Sequence, residues 1–247
     1  MSTTSAPEPR VPSGAVPSEP VPVSDGATRP RPGWTEIAVG AVGYVALTVL
    51  ALVVLAGSVV PGSPLLAVVS VGVAGVAALG AFAIAAVVRV RSWSAFGVRA
   101  TTWRWLLLGA AGGVVGWLVN RVIVVGYVLA SGDTSNPQEG FLPGVTGAFG
   151  TFALMMLLGA VVVPIGEELL FRGVVTTALD RYGAWVAVLG SALVFALAHG
   201  VSIVLPAAFV LGVINAMLLR RSGSVWPGVV THGVNNALVL GLTAILL

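Results

Sequence analysis

The chain has 247 residues, a length that corresponds to one or two domains in a soluble protein. Only 9% of its residues are charged and 57% are apolar, whereas a soluble domain carries about 25% charged residues. The absence of Cys excludes disulfides, Fe–S clusters and thiolate zinc sites, and a net charge of +3 is too diluted for a nucleic-acid interface. The composition therefore predicts an integral membrane protein whose polar chemistry is confined to a few residues.

The first 33 residues differ in composition from the rest of the chain. They contain eight of the fifteen Pro and no apolar run. Such a segment cannot bury enough surface to offset the entropy lost on ordering, so we predict a disordered tail over 1–33. A secretory signal would need an apolar core here, so we expect the first apolar segment to remain as a membrane span.

Seven apolar stretches follow the tail and predict an all-α, polytopic transmembrane bundle. About 20 residues cross a hydrocarbon core, and helices are the only plausible spanning structure for stretches of this length and hydrophobicity. The predicted spans are Trp34–Val60, Leu65–Val88, Trp105–Ala130, Val145–Leu179, Ala184–His199, Ile203–Leu219 and Trp226–Leu247. We divide them into N-terminal helices over 34–144 and helices over 145–247, which carry the motifs described below.

The distribution of Arg predicts the orientation of the bundle. Connecting segments with many basic residues stay in the cytoplasm. With seven spans, ten Arg fall on the side of the N-terminus, which is therefore predicted to be cytoplasmic. These are Arg10, Arg29, Arg31, Arg89, Arg91, Arg99, Arg104, Arg181, Arg220 and Arg221.

The fourth predicted span contains three charged residues: Glu167, Glu168 and Arg172. An ionisable residue inside a bilayer costs about 2.5–3.5 kcal/mol on insertion scales, so it needs a reason to be there. Glu168 and Arg172 are four residues apart and share a helix face, which predicts an ion pair. Glu167 is rotated about 140° from Arg172 and is left poorly paired, which suits it to proton transfer. The alternative to a catalytic role is that these charges form a buried ion pair that joins helices. Such a pair needs only one carboxylate, so it leaves the second glutamate unexplained.

Two more pairs of polar or aromatic residues occur in apolar spans, and the members of each pair are four residues apart. Phe195 and His199 end the fifth span, and His232 and Asn236 lie near the start of the seventh, with Asn235 beside them. Each alone has a structural explanation, since Asn often joins membrane helices and a His at a helix end is often interfacial. Both His and the adjacent Glu pair occur in apolar spans, and this coincidence predicts a functional site.

The third predicted span contains a further polar pair, Asn120 and Arg121. We interpret Arg121 as a residue that extends its charged end towards the interface or pairs helices. Lining a cavity is the alternative.

The chain resembles the CPBP intramembrane proteases, the group that contains the type II CAAX prenyl endopeptidases and the bacterial Abi proteins. The resemblance covers about residues 145–240 and rests on three motifs in the family's order, which are Glu167-Glu168-x-x-x-Arg172, Phe195-x-x-x-His199 and His232-x-x-x-Asn236. It implies a protease of the bacterial plasma membrane that cleaves a membrane-associated peptide or protein.

The resemblance also implies roles for individual residues. Glu167 and His199 would activate a water, and His232 and Asn236 would stabilise the oxyanion, with Glu168 and Arg172 completing the catalytic set. Phe195 and Asn235 are candidates for lining the substrate cavity. Polarised donors and a carboxylate beside an imidazole are chemically suited to these tasks.

Several alternatives stay open at this point. Zinc held by Glu167, His199 and His232 could bind the water instead, although we favour activation without a metal or another cofactor. A proton- or ion-coupled transporter and a non-catalytic scaffold or immunity protein are different classes of function. Along the predicted helices His232 lies shallow, Glu167 deeper and His199 near the far side. A shared site requires tilted helices, a kink at Pro164 or a cytoplasmic extension of the fourth and fifth helices.

Overall fold

The structure is a computed structural model that describes residues 31–135 and 137–247. Residues 1–30 of the predicted tail lie outside this description. The end of the predicted tail is anchored to the bundle through two carbonyl groups. Arg89 donates to the carbonyl of Arg31 at 2.9 Å, and Arg181 donates to the carbonyl of Pro32 at 2.6 Å.

The described chain is helical, which confirms the predicted all-α polytopic bundle. Six helices are long and apolar enough to cross a membrane, and a seventh apolar helix is shorter. They are α1 (Trp34–Leu55), α2 (Pro64–Val88), α3 (Trp103–Ser131), α4 (Phe149–Tyr182), α5 (Val186–Ala198), α6 (Val204–Ser222) and α7 (Trp226–Leu246). The loops carry two 3₁₀ turns and a short helix, at Trp93–Phe96, Glu139–Phe141 and Leu142–Thr146.

Two helix boundaries differ from the predicted ones by more than three residues. Helix α1 ends at Leu55, before the predicted Val60, and Gly57 follows with φ 78°, a conformation that leaves the helical path. Helix α4 begins only at Phe149, because the preceding Gly147 is extended and separates α4 from the short helix before it. Hydropathy alone does not reveal such breaks because the residues around them are apolar.

Helices α1 and α3 present apolar side chains to the outside of the bundle. Exposed positions include Val45, Val49, Val53, Leu107, Leu118, Val122 and Leu129. A helix that is apolar on every face suits a lipid environment, since lipid solvates its outer side. The structure therefore agrees with an integral membrane protein.

Helix α2 packs tightly against α4 at a pair of glycines. A Cβ on Gly166 would lie 2.6 Å from the carbonyl oxygen of Gly75. Small residues of this kind let membrane helices approach closely. The contact lies next to Glu167 in the sequence and fixes the part of α4 that carries the Glu pair.

Helices α3 and α7 lie side by side and run in the same direction. Gly109 faces Pro227 and Gly113 faces Thr231, so positions further along α3 face positions further along α7. The hydroxyl of Thr231 also donates to the carbonyl of Gly109 at 2.9 Å. This parallel register places the polar residues of α3 relative to the motif on α7.

The start of α1 is attached to the end of α2 by a buried carboxylate. Glu36 is fully buried and accepts hydrogen bonds from Arg89 Nε at 2.9 Å and Nη2 at 2.7 Å. It also caps its own helix by accepting from the backbone N–H of Gly33 at 2.7 Å. A two-pronged Arg–carboxylate pair fixes geometry as well as charge.

Candidate active site

Three helices contribute motif residues to the lining of one cavity of about 670 Å³. A volume of this size is typical of ligand sites in proteins. Helix α4 contributes Glu167, α5 contributes Phe195 and the adjoining His199, and α7 contributes His232, Asn235 and Asn236. The structure therefore brings together residues that are far apart in the sequence.

The two adjacent glutamates face different surroundings. Successive residues of a helix are rotated by about 100°, so neighbours in sequence point in different directions. The side chain of Glu167 is 8% exposed and lines the cavity, whereas that of Glu168 is fully buried. A π-helical segment begins at Glu168 and continues to Thr176, and such wide turns occur frequently at functional sites.

Glu168 is compensated by three groups from three helices. Arg172 of the same helix places Nε 3.0 Å from Oε2, and both side chains are fully buried. Asn215 of α6 donates from Nδ2 to Oε1 at 2.9 Å, and His232 of α7 lies with Nδ1 3.2 Å from the same oxygen. The helical spacing predicted the pairing with Arg172, and the structure adds two partners from other helices.

Asn215 is a site residue that the sequence analysis missed. It is fully buried in α6 and lies 47 positions from Glu168 along the chain. An amide in the middle of an apolar span was the signal that could have marked it, because such a group needs a hydrogen-bond partner in the membrane. The sequence alone does not identify that partner.

The ring of Phe195 contacts the buried guanidinium of Arg172 and both imidazole rings. The guanidinium of Arg172 lies over this ring at 4.3 Å from its centre. The ring centres of His199 and His232 are 4.6 and 5.7 Å from that of Phe195. Phe195 is 1% exposed, so it forms a packed wall of the cavity. Cation–π and edge-to-face contacts of this kind hold the surrounding side chains in fixed orientations.

One oxygen of Glu167 is directed towards both imidazoles. Its Oε2 lies 3.9 Å from Nε2 of His199 and 3.9 Å from Nε2 of His232. The atom is buried and accepts no hydrogen bond from the residues that the structure describes. A separation of 3.9 Å is too long for a direct hydrogen bond. It is a distance that one water can bridge by contacting the carboxylate oxygen and an imidazole nitrogen.

The orientation of His199 leaves its Nε2 as the basic nitrogen. Its Nδ1 lies 2.9 Å from the carbonyl oxygen of Phe195, which can only accept, so Nδ1–H donates. In the neutral ring Nε2 then holds a lone pair and faces Glu167. This arrangement suits a group that takes a proton from a water.

The structure also explains how His199 reaches the level of Glu167. Counting from the cytoplasmic helix ends predicted that His199 lies well beyond the level of Glu167, which is wrong because the two residues are at similar distances from the turn that joins α4 and α5. Glu167 precedes the end of α4 at Tyr182 by 15 residues and His199 follows the start of α5 at Val186 by 13, or about 20 Å in each helix. Gly200, with φ 84°, then turns the chain away from the helix path.

His232 and Asn236 each use one donor to hold their position. The Nδ1–H of His232 donates to the Glu168 carboxylate at 3.2 Å, while Nε2 faces Glu167. Asn236 donates from Nδ2 to the carbonyl of Gly159 at 2.8 Å and accepts from Asn235 at 3.1 Å. Because an amide nitrogen carries two hydrogens, Asn236 retains a second donor for a ligand.

The zinc alternative involves Glu167, His199 and His232, and the carboxylate oxygen of Glu167 lies 3.9 Å from the facing nitrogen of each imidazole. Within the two described ranges, no group of three or more His, Asp or Glu side chains is placed to hold a metal ion. Glu168, the carboxylate beside the predicted ligands, is already engaged by Arg172, Asn215 and His232.

Arg121 lines the same cavity, together with its neighbour Asn120. The structure thus supports the alternative that Arg121 lines a cavity. The Nε of Arg121 is buried and donates no hydrogen bond to a described residue.

Comparison with known proteins supports the resemblance found in the motifs. Residues 149–238 match the sequence model of a family described as Type II CAAX prenyl endopeptidase Rce1-like. This segment runs from the start of α4 into α7 and includes all three motifs. No curated protein and no solved structure matches the chain. The predicted family resemblance is thus confirmed over the segment that forms most of the candidate site.

Proposed function

We propose that this protein is an intramembrane endopeptidase that hydrolyses a peptide bond in a membrane-associated protein or peptide. The family matched by residues 149–238 is one of endopeptidases, and the six long apolar helices belong to a membrane protein. We further propose that it acts in the bacterial plasma membrane with its N-terminus in the cytoplasm, as the distribution of Arg indicates.

The observation that carries the proposal is the position of Glu167 Oε2. Burying a carboxylate oxygen without a hydrogen-bond partner costs free energy, so such an oxygen needs a functional explanation. Here the oxygen lies 3.9 Å from each of two imidazole nitrogens, in a cavity large enough for a peptide segment. This geometry supports a water held between a carboxylate and an imidazole.

In the proposed reaction, Glu167 and His199 act on that water. The water gives up a proton to this pair as its oxygen forms a bond to the carbonyl carbon of the peptide. The proton then passes to the leaving nitrogen as the C–N bond breaks, which yields a carboxylic acid and an amine. The lone pair on His199 Nε2, left by the hydrogen bond of Nδ1 to Phe195, supports its part in this transfer.

His232 and Asn236 are proposed to stabilise the oxyanion that develops during attack. Because Nδ1–H of His232 is engaged by Glu168, Nε2 can donate only when the ring is an imidazolium. The Glu168 carboxylate accepts from Nδ1–H and thereby orients the ring, which gives Glu168 a role distinct from that of Glu167. Removing one oxyanion donor typically lowers kcat by about 10²–10³-fold.

Comparing cleavage products of a membrane proteome tests the proposal. Purified protein in lipid vesicles would be incubated with the proteome, and new peptide termini would be identified by mass spectrometry. The Glu167→Gln variant should lose the termini by at least about 100-fold, because it removes the base. Glu139→Gln, which changes an exposed loop glutamate, is the matched control and should retain them.

Two results would contradict this function. The same termini at the same rate from Glu167→Gln would show that Glu167 does not activate the water. A proton flux across the vesicles that requires Glu167, without any new termini, would instead support the transporter alternative.

A further inference from the structure

The connections between the helices lie at the two ends of the bundle. Because successive helices run in opposite directions, α1 begins at the same end as the α2–α3, α4–α5 and α6–α7 connections. The hydrogen bond from Arg181 at the end of α4 to the carbonyl of Pro32 before α1 marks this end. The described α1–α2, α3–α4 and α5–α6 connections lie at the opposite end and contain no Arg, so this end is predicted to be the outer one.

The cavity of the candidate active site reaches this outer end. Its lining there is polar and consists of Asp133, Thr134 and Ser135 of the α3–α4 connection, Ser202 of the α5–α6 connection and Thr243 near the end of α7. Thr134 and Ser135 are exposed. No described residue of the α2–α3, α4–α5 or α6–α7 connections lines the cavity. A roomy cavity with an exposed, polar rim is accessible to water, so the opening lies at the outer end.

The other end of the cavity is closed by the buried charges beside the active site. Glu168, Arg172 and Asn215 are fully buried and do not line the cavity, whereas His232 does. Gly228, one turn before His232 in α7, packs so closely that a Cβ added to it would lie 2.9 Å from Oε2 of Glu168. The candidate active site therefore lies at the inner end of a cavity that opens outwards.

Polar side chains also line the cavity between its rim and the active site. Arg121 is ten residues before the end of α3, or about 15 Å at 1.5 Å per residue, and Asn120 adjoins it. Asn235 and Asn236 lie within one turn of His232. The Nε of Arg121 is buried and donates no hydrogen bond to a described residue. A charged side chain within a membrane helix is tolerated where it lines a water-filled cavity, so Arg121 indicates water along this path.

We infer that this cavity is a water-filled vestibule that opens at the outer face of the membrane, and that the active site receives its water and the scissile segment of its substrate from that side. The inference rests on the proposed function and on the predicted orientation. It limits the substrates to membrane-associated proteins whose cleaved segment lies at the outer surface or in the outer half of the bilayer. A segment confined to the cytoplasm would be separated from Glu167 by the buried pair of Glu168 and Arg172.

The accessibility of single cysteines tests the position of the opening without any turnover. The chain contains no Cys, so each variant carries one thiol. Ser70→Cys and Val163→Cys place that thiol in the wall of the vestibule, and Ala46→Cys places it on an exposed face of α1 outside the vestibule. A membrane-impermeant methanethiosulfonate that carries a sulfonate group would be added to the outside of right-side-out membrane vesicles. Mass spectrometry of the purified protein would measure the rate of modification.

The vestibule thiols should react from outside at least about 100-fold faster than the thiol of Ala46→Cys, because a thiol in apolar surroundings forms little of the reactive thiolate. Ser94→Cys, which changes an exposed residue of the α2–α3 connection, should react only after the vesicles are opened. Modification of Ser70→Cys should also stop cleavage of a membrane proteome relative to the same variant left unmodified, because the attached group blocks the path to the site. Modification of Ser94→Cys should leave cleavage unchanged.

Three results would overturn the inference. Reaction of the vestibule thiols as slowly as that of Ala46→Cys would show that no water connects the cavity to the outside. Reaction of these thiols from the cytoplasmic side only would place the opening at the wrong face. Unchanged cleavage after complete modification of Ser70→Cys would show that the substrate does not pass through the vestibule. A lack of cleavage by the unmodified protein would instead contradict the proposed function, while the labelling rates would still decide where the cavity opens.

Discussion

Replacing Glu168 by Gln should destabilise the protein far more than replacing the adjacent Glu167 by Gln. Both members of the Glu168–Arg172 pair are fully buried at 3.0 Å, and Arg172 lacks another hydrogen-bond partner among the described residues. Breaking a buried pair by removing one charge costs about 3–5 kcal/mol. The ring of Phe195, 4.3 Å from the guanidinium, still contributes about 1–2 kcal/mol, so we expect a loss near 3 kcal/mol.

Glu167→Gln should behave differently because Glu167 pairs with no Arg and faces the cavity. We expect its free energy of unfolding to stay within about 0.5 kcal/mol of the wild type. Unfolding in mixed micelles with increasing SDS, followed by circular dichroism, measures both variants. Cleavage assays on the same samples should show loss of activity in both, with loss of stability only in Glu168→Gln.

A double substitution separates the charge effect from a simple loss of packing. Arg172→Met in the Glu168→Gln background removes the uncompensated cation, so the double variant should be more stable than Glu168→Gln alone. Equal stability of Glu167→Gln and Glu168→Gln would refute the division of roles between the two carboxylates. A double variant less stable than either single variant would show that the buried pair is not the source of the loss.

Three further predictions concern orientation, metal dependence and helix packing. A single Cys introduced between Arg89 and Arg104 should react with reagents added from the cytoplasmic side only, and labelling from outside would reverse the predicted topology. Cleavage should survive exhaustive treatment with a chelator, whereas loss of activity and its recovery with zinc would favour a metal-bound water. Gly166→Ala should cost about 1–3 kcal/mol because its Cβ would lie 2.6 Å from a backbone oxygen, while Gly126→Ala, with nothing within 4 Å, should not destabilise. Equal stability of these two variants would contradict the close contact between α2 and α4.

The sequence was sufficient for features that depend on local order along the chain. Hydropathy identified the helices, because burial of a span in lipid depends on the length and composition of that segment alone. The four-residue spacing of Glu168 and Arg172 predicted their pairing, since residues four apart meet on any helix. The order of the motifs predicted a family resemblance, and the match of residues 149–238 to the family model supports it over that segment.

The tertiary structure decided which helix faces meet and at which level. The packing of α5 against α4 brings His199 within 3.9 Å of Glu167, although counting from the helix ends predicted different levels for the two residues. Asn215 and His232 complete the surroundings of Glu168 from helices that begin more than 30 residues later. Arg121 lines the same cavity as the motif residues of α4, α5 and α7. These outcomes depend on contacts between distant segments, because the rotation, tilt and relative height of packed helices are set by their neighbours and not by their own composition.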